Sequence, residues 1–291
     1  MNRPLALAVR CLPRGHVSGI GRPCATERRA LLTGLSALAL LTTAPAVLAQ
    51  GFAAYISPPR FEVQAAPGQR LREVLEIQHV GQQKGGYRFY TNDWTFGPDN
   101  AVTFSNDLAP DSCRPWVAIE RKELTLEPGA RYRYRFEISP PADTPPRECR
   151  FAIMVEGLDP ARVQGTVSFP VGGRIGVIVY AAIGGAQPQL SLSASRVDTV
   201  QGQPTAVLEV RNSGTAHGRL QGYVNGTDAD GKTYEMAPAD LPILPGETRR
   251  VALTPVAEDG KPAPKPRFPL KVKGALEWGT NRMPLDLTLT P

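Results

Sequence analysis

Apolar side chains alternate with polar or small residues along the segment from Val167 to Ala181. Nearly every odd-numbered position there is apolar, and strict alternation with a period of two predicts one long β-strand. Because typical strands have about 5–6 residues, we expect this one to extend beyond its own sheet. The overhang would offer main-chain groups and an apolar row to a partner. The pattern therefore indicates binding and not catalysis.

Shorter alternating runs fill the chain on both sides of a Gly/Pro-containing stretch. One block covers residues 50–182, a second covers residues 190–291, and residues 183–189 form the predicted linker. Turn signals such as Pro128-Gly129 and Pro245-Gly246 separate the runs, and short strands at this spacing are typical of sandwiches. The sequence predicts an all-β fold of two immunoglobulin-like β-sandwich domains, each long enough for its own core.

The first 49 residues have a different pattern. Arg28 and Arg29 precede an apolar run from Ala30 to Leu41, and small residues then lead to Ala49. This order predicts a signal peptide, residues 1–49, cleaved near Ala49, and a periplasmic protein. The alternative is a membrane anchor, but about 12 apolar residues are few against the roughly 20 that span a bilayer, so we expect no stable membrane insertion. The two arginines leave both Sec and twin-arginine export open.

Removal of that segment changes the charge of the protein. The full chain has 33 Lys+Arg and 27 Asp+Glu, and residues 1–49 contain six of the arginines and one acidic residue, Glu27, which leaves 27 against 26, or +1. No basic run remains of the kind that binds nucleic acid, so we expect no nucleic-acid partner.

Two of the four cysteines remain after the predicted cleavage, Cys113 and Cys149. An even number of cysteines in an oxidising compartment predicts a disulfide between them. A metal site is the alternative, but only His79 and His217 could complete it in the mature chain, so we expect no metal.

Known catalytic patterns are missing from the mature sequence. It has no G-x-S-x-G elbow and no glycine-rich phosphate loop, and neither histidine has an obvious acidic partner in sequence. The segment from Asn225 to Gly231 has calcium-loop character but lacks the required terminal glutamate. We expect a protein that is not an enzyme and has no cofactor, with a secreted hydrolase as a minor alternative.

Several segments of the first block follow one another in a distinctive order. They are Ile56–Val63, Leu75–Ile77, Tyr87 with Trp94, Leu126–Ala130 with Tyr134–Phe136, Pro145–Phe151, and Arg174–Tyr180. In order and spacing these segments, within residues 55–181, resemble the periplasmic chaperones of the chaperone–usher pilus pathway, which are PapD-like.

That resemblance implies donor-strand complementation. A chaperone of this family inserts its long strand into a pilus subunit that lacks its last strand, so that main-chain ladders and alternate side chains hold the subunit. By position the donor residues are Val167, Phe169, Val171 and Ile175. The partners implied are pilus or surface-fibre subunits and an outer-membrane usher. Packing of the same row against its own second sheet remains the alternative, since Pro170 and Gly172-Gly173 are able to interrupt the strand.

The resemblance also implies a carboxylate anchor made of two basic residues in the cleft between the domains. Arg60 matches the first, and a guanidinium suits a carboxylate because it binds it through two hydrogen bonds. In the family the second basic residue is a lysine, but this chain has Gly176 at that position. Arg174, two residues earlier on the same strand face, is the candidate substitute.

Two functions follow from these observations. The first is a periplasmic chaperone that stabilises fimbrial or surface-fibre subunits by donor-strand complementation. The alternative is a non-enzymatic structural or adhesion module of the cell envelope, and Gly176 in place of lysine favours it.

Overall fold

β-Strands dominate the computed structural model, which describes residues 52–158, 161–163 and 169–291, with the backbone alone at 161–163 and 169–171. Within those residues the helical structure consists of one 3-10 turn, Arg114–Trp116, and no helix is long and apolar enough to cross a membrane. The all-β prediction is confirmed. The predicted signal peptide, residues 1–49, and Val167 lie outside the described residues.

The first sandwich packs two sheets around one core, which contains Leu75, Phe136, Phe151 and Val179. One sheet has the strand order β1 (Ala54–Ser57), β3 (Leu71–His79), β8 (Arg131–Ile138) and β6 (Val117–Ile119). The other has the order β2 (Arg60–Ala65), β12 (Arg174–Ile183), β9 (Arg147–Gly157), β4 (Gly85–Phe96) and β5 (Val102–Ser105), with β7 (Glu123–Leu126) also paired to β4.

The N-terminal strand segment changes sheets at two prolines. β1 pairs antiparallel with β3, whereas β2 pairs parallel with β12. Pro58 and Pro59 lie between them and have no main-chain N–H to donate, so the pairing with β3 ends there. The segment Ile56–Val63 therefore contributes one strand to each sheet.

The alternating segment 167–181 is not one strand, which corrects the prediction. β10 (Ala161–Val163) and β11 (Phe169–Val171) form a separate antiparallel hairpin, and β12 begins only at Arg174. The interruption falls at Gly172 and Gly173. It occurs there because β9, the antiparallel partner of β12, ends at Gly157 opposite Gly173, so earlier residues pair locally with β10.

The second sandwich is one continuous sheet folded around a separate core that contains Leu208, Val251 and Leu276. Its end strands come into contact with each other. The strand order is β13 (Leu190–Val200), β14 (Gln203–Asn212), β17 (Thr248–Pro255), β16 (Thr233–Pro238), β15 (Val224–Thr227), β18 (Leu270–Trp278) and β19 (Asn281–Leu289). Residues 184–189 connect the two sandwiches, which belong to one compact unit.

Candidate functional site

One edge of β12 is open at its N-terminal end. β2 lies beside β12 only from the pair Arg60–Ile178 onward, while β12 itself begins four residues earlier, at Arg174. On its other edge β12 pairs with β9 along its whole length. No strand within the described residues pairs with the outer edge of Arg174–Val177, so this stretch, which we call the open edge, is available to another strand.

At alternate residues of the open edge, the main-chain groups point away from β9. The Gly157 N–H donates to the Gly173 carbonyl over 3.0 Å, which makes these two residues a hydrogen-bonded pair. In an antiparallel ladder such pairs alternate with pairs whose groups point the other way. The N–H and C=O groups of Arg174 and Gly176 are therefore directed away from β9, where an added strand would find them.

The side chains of β12 give the open edge an apolar end. Val177 and Val179 are fully buried in the core, and Ile175 continues their row but is 37% exposed. Of the other predicted donor residues, Phe169 and Val171 lie on β11, whose backbone pairs with β10. Among the predicted donor residues that the structure describes, only Ile175 lies on the open edge itself.

Arg60 lies on the outer face of the same sheet, toward the second sandwich. It pairs with Ile178, whose neighbours Val177 and Val179 face the core, so Arg60 and Ile178 share the opposite face. The guanidinium forms ion pairs with Glu62 at 2.9 Å and with Asp240 of the second sandwich at 3.4 Å. Arg60 therefore contacts the second sandwich, and it already has two acidic partners.

Arg174 does not join Arg60. It lies on the same face but four residues along β12 from the partner of Arg60, a distance of roughly 13 Å in a strand. Its electrostatic neighbours are Tyr90 and Glu156. The two predicted anchor residues are thus not brought together by the register of β2 and β12.

An aromatic ring occupies the space where the second anchor residue is expected. A β-carbon built on Gly176 would lie within 3.0 Å of two ring atoms of Phe104, and 3.1 Å from the sulfur of Met154. Phe104 belongs to β5, and its partly buried ring covers the outer face of β12 at this point. Glycine is therefore required by packing here, and a lysine does not fit without displacing Phe104.

A buried acid–histidine pair joins the sandwiches beside Arg60. The Nδ1 of His217 lies 2.5 Å from Oε2 of Glu148, and the main-chain N–H of His217 donates to the same oxygen over 2.9 Å. The two side chains are 8% and 2% exposed. The imidazole also stacks on Tyr180, with ring centroids 3.8 Å apart.

The groups around the imidazole shift the pKa values of His217 and of the nearby Glu62. Burial of His217 opposes its protonation, but its hydrogen bonds to Glu148 and Glu62 and the charges of both outweigh burial and raise the pKa of His217. The nearby imidazole of His217, with the charges of Arg60 and Arg219, lowers the pKa of Glu62 to about 2. The interface therefore favours the charged form of this imidazole, which lies between two carboxylates.

A cleft of about 300 Å³ opens beside the pair. Its walls combine the outer face of β2 and β12, the connecting residues and the second sandwich, and they include Glu62, Tyr180, Pro188, Arg219 and Trp278. Arg219 donates to Asp240 over 2.8 Å and lies 3.5 Å from Glu62, so the acidic walls are largely neutralised.

A second contact joins the sandwiches at the β4–β5 turn. Arg249 on β17 donates to the Asn100 side chain over 2.7 Å and to the Gly97 carbonyl over 3.2 Å, and its guanidinium lies 4.0 Å from the centroid of the Phe96 ring. It is only 4% exposed. Two separated contacts fix the angle between the sandwiches more firmly than either contact could alone.

Cys113 and Cys149 form a disulfide bond, with their α-carbons 5.8 Å apart. Both residues are fully buried. The bond connects the segment before β6 to the start of β9, next to Glu148. It therefore holds in place the strand that contributes the buried carboxylate of the interface.

Similar solved structures include fimbrial chaperones. Class 5 fimbriae chaperone CfaA is 13% identical, with a TM-score of 0.44 over 82% of this chain and 99% of that chain. A chain of the CsuC–CsuE chaperone–tip adhesion subunit complex of Acinetobacter baumannii is 15% identical, with a TM-score of 0.43 over 82% and 100%. A chain of the Salmonella enterica SafA pilin–SafB chaperone complex is 11% identical, with a TM-score of 0.45 over 82% and 99%.

These structures belong to the class of proteins that the sequence resembles, and at such identities the likeness concerns the fold. No family model matches the sequence, and no curated protein matches it.

Sequence reasoning did not find the residues that join the sandwiches. Glu148 and His217 are 69 positions apart and belong to different sandwiches. The sequence signal available for Glu148 is its place beside Cys149, whose predicted disulfide marks a buried strand. Phe104 carries no signal, because one aromatic residue in a short, largely exposed strand does not indicate what it covers.

Proposed function

We propose that this protein is a periplasmic chaperone that binds fimbrial or surface-fibre subunits along the open edge of β12. The observation that carries the proposal is the edge itself, where Arg174 and Gly176 direct main-chain groups away from β9 and no described strand takes them. A subunit strand added there would gain a ladder of hydrogen bonds, and Ile175 would enter its apolar groove.

The cleft supports the same function. Arg60 lies two residues beyond Gly176 in the register, on the face shared with the cleft, where the end of an added strand would reach it. Because the second basic position is filled by the Phe104 ring, the carboxylate anchor in this chaperone rests on Arg60 alone. Donor-strand complementation in this chain would therefore depend more on the main-chain ladder than on a paired charge. The usher is a further expected partner.

A photocross-linking experiment tests the proposal. The protein is expressed in its own cells with a photoreactive phenylalanine analogue in place of Ile175, and, as a control, in place of Tyr55, which is 62% exposed on the other sheet. We expect position 175 to cross-link to an exported β-rich subunit, at a segment beside the gap left by its missing strand, and position 55 to give no such product. The proposal would be contradicted if positions 175 and 55 gave equal amounts of cross-linked subunit, or if the folded protein gave no cross-link at position 175.

The alternative is a structural module of the envelope that releases no client. The specific observation in its favour is the polar contact between the sandwiches, where Glu148–His217 and Arg249 are almost fully buried. Such contacts suit a rigid spacer. If no client cross-links at position 175, a structural module of the envelope would explain the structure better than a chaperone.

A further inference from the structure

We propose that Phe52 is a positioning residue for the open edge, and that its side chain holds the start of β12 in register by filling the space beside Gly173. This role extends the proposed function. The effect of Phe52 on client binding rests on that function, whereas its effect on the start of β12 does not. Phe52 would be the third residue of the mature chain if cleavage occurs after Ala49, as the sequence predicts.

The packing of Phe52 against two glycines carries the inference. A β-carbon built on Gly173 would lie within 3.0 Å of both Cβ and Cγ of Phe52, and one built on Gly157 would lie 3.3 Å from its ring. Gly173 and Gly157 are the hydrogen-bonded pair at which β9 ends and β12 begins. The Phe52 side chain therefore covers the last ladder pair before the chain leaves for the β10–β11 hairpin.

A hydrogen-bond relay fixes the main chain next to Phe52. The Ala53 carbonyl accepts from the Val80 N–H over 3.0 Å and from the Tyr87 hydroxyl over 2.9 Å. That hydroxyl lies 2.5 Å from Nδ1 of the buried His79. The ring of Phe52 packs edge-on against Tyr87, with centroids 5.9 Å apart.

The relay has its own steric requirements. The other ring nitrogen of His79 lies 2.5 Å from the Gln83 carbonyl, which can only accept, so this nitrogen carries a proton. β-Carbons on Gly81 and Gly85 would both come within 3.0 Å of the imidazole. The first residues before β1 are thus attached to the sandwich at a defined place, which gives Phe52 a rigid base from which to hold Gly173.

Gly172 provides a matched control for Gly173. Within the described part of the chain, nothing lies within 4 Å of a β-carbon built on Gly172, and neither glycine has a positive φ. Alanine is therefore expected to fit at position 172 but to collide with Phe52 at position 173. Removal of the Phe52 ring should in turn make room for alanine at position 173.

Hydrogen exchange on the exported protein, with no client present, tests this coupling. The variants are Gly172→Ala, Gly173→Ala, Phe52→Ala, Phe52→Leu and the double variant Phe52→Ala/Gly173→Ala. We expect Gly173→Ala and Phe52→Ala each to speed exchange at the amides of Gly157 and Ile175 by on the order of tenfold. Gly172→Ala should have no effect, Phe52→Leu should restore most protection, and the double variant should exchange no faster than Phe52→Ala.

Three results would overturn the role of Phe52. They are unchanged exchange in Phe52→Ala, additive effects in the double variant, and an equal rise at Val179 farther along β12, which would indicate general destabilisation. The consequence for function is read separately, as the yield of the cross-link from position 175, which should fall in Phe52→Ala and not in Gly172→Ala. If the wild-type protein gives no cross-link to a client, the proposed function is refuted, but the hydrogen-exchange result still tests the role of Phe52.

Discussion

Removal of the His217 imidazole should weaken the contact between the two sandwiches by a large and pH-dependent amount. The ring bonds to Glu148 at 2.5 Å, and the Glu148 side chain is only 2% exposed, so the His217→Ala variant leaves a carboxylate buried without its main partner. Breaking such a pair costs about 3–5 kcal/mol. The main-chain N–H of residue 217 still donates to Glu148, and Arg150 lies 3.8 Å away, so we expect about 3 kcal/mol, at the lower end.

The pH dependence has a defined sign. The pKa of His217 is raised above its ordinary value of 6.5 in the folded protein. Its stabilising contribution is therefore complete below pH 6.5 and is lost as the pH rises through the folded-state pKa. Glu62 has the opposite behaviour, because its pKa is lowered from 4.5 to about 2, so its contribution is present above pH 4.5 and is lost as the pH falls toward 2. The contact between the sandwiches should therefore be strongest between pH 4.5 and pH 6.5.

The assay is urea unfolding of wild type and variants at several pH values, followed by tryptophan fluorescence. Trp94 packs edge-on against Tyr180, which stacks on His217, so its emission reports on this contact. A His217→Gln variant keeps a hydrogen-bond donor without titrating near neutral pH, and it should lose the pH dependence but retain part of the stability. Glu148→Gln in the His217→Ala background should recover stability. A loss below about 1 kcal/mol at pH 6, or a loss that does not shrink as the pH rises, would refute the reasoning.

Three further changes test other parts of the structure. Gly176→Lys should destabilise the protein by about 1–3 kcal/mol through overpacking, and Phe104→Ala should restore the melting temperature of this variant. Unchanged stability of Gly176→Lys would contradict the packing of Phe104 on Gly176. Cys113→Ser/Cys149→Ser should cost about 4 kcal/mol in urea unfolding, because the disulfide closes a 36-residue separation, and a reductant should lower wild-type stability equally. Arg60→Ala should reduce the cross-link from position 175 but change the free energy of unfolding by less than about 1 kcal/mol, since its ion pairs are exposed; unchanged cross-linking would exclude it as an anchor.

Features that depend on burial along one strand could be predicted from the sequence. Alternating apolar residues identify strands such as β8 and β9, because one face of each meets a core and the other does not. The pair Cys113 and Cys149 could be predicted because only two cysteines remain after the predicted leader, so only one intramolecular pairing is possible if that leader is removed. In these two cases the local hydrophobic pattern, or the number of cysteines, is sufficient to predict the structural feature.

Features that depend on which strand lies beside which could not be predicted. The alternation from Val167 to Ala181 continues through Gly172 and Gly173, but a strand extends only as far as its partner, and the end of β9 at Gly157 cannot be read from the alternation. The pattern equally cannot show that Phe104 occupies the space above Gly176, since the two residues lie on different strands far apart in sequence. Hydrophobic periodicity records that a residue is buried and not what buries it.

If the proposed function is right, the guanidinium of Arg60 has two tasks. Arg60 holds Glu62 on its own strand and Asp240 on the second sandwich, so a carboxylate arriving with a client would have to replace Asp240 or share Arg60 with it. Asp240 also accepts from Arg219 over 2.8 Å, and it would keep that partner after leaving Arg60. The exchange therefore leaves no buried charge unpaired. Because His217 and Arg249 also hold the sandwiches together, the client proposed above would be able to bind Arg60 without separating them.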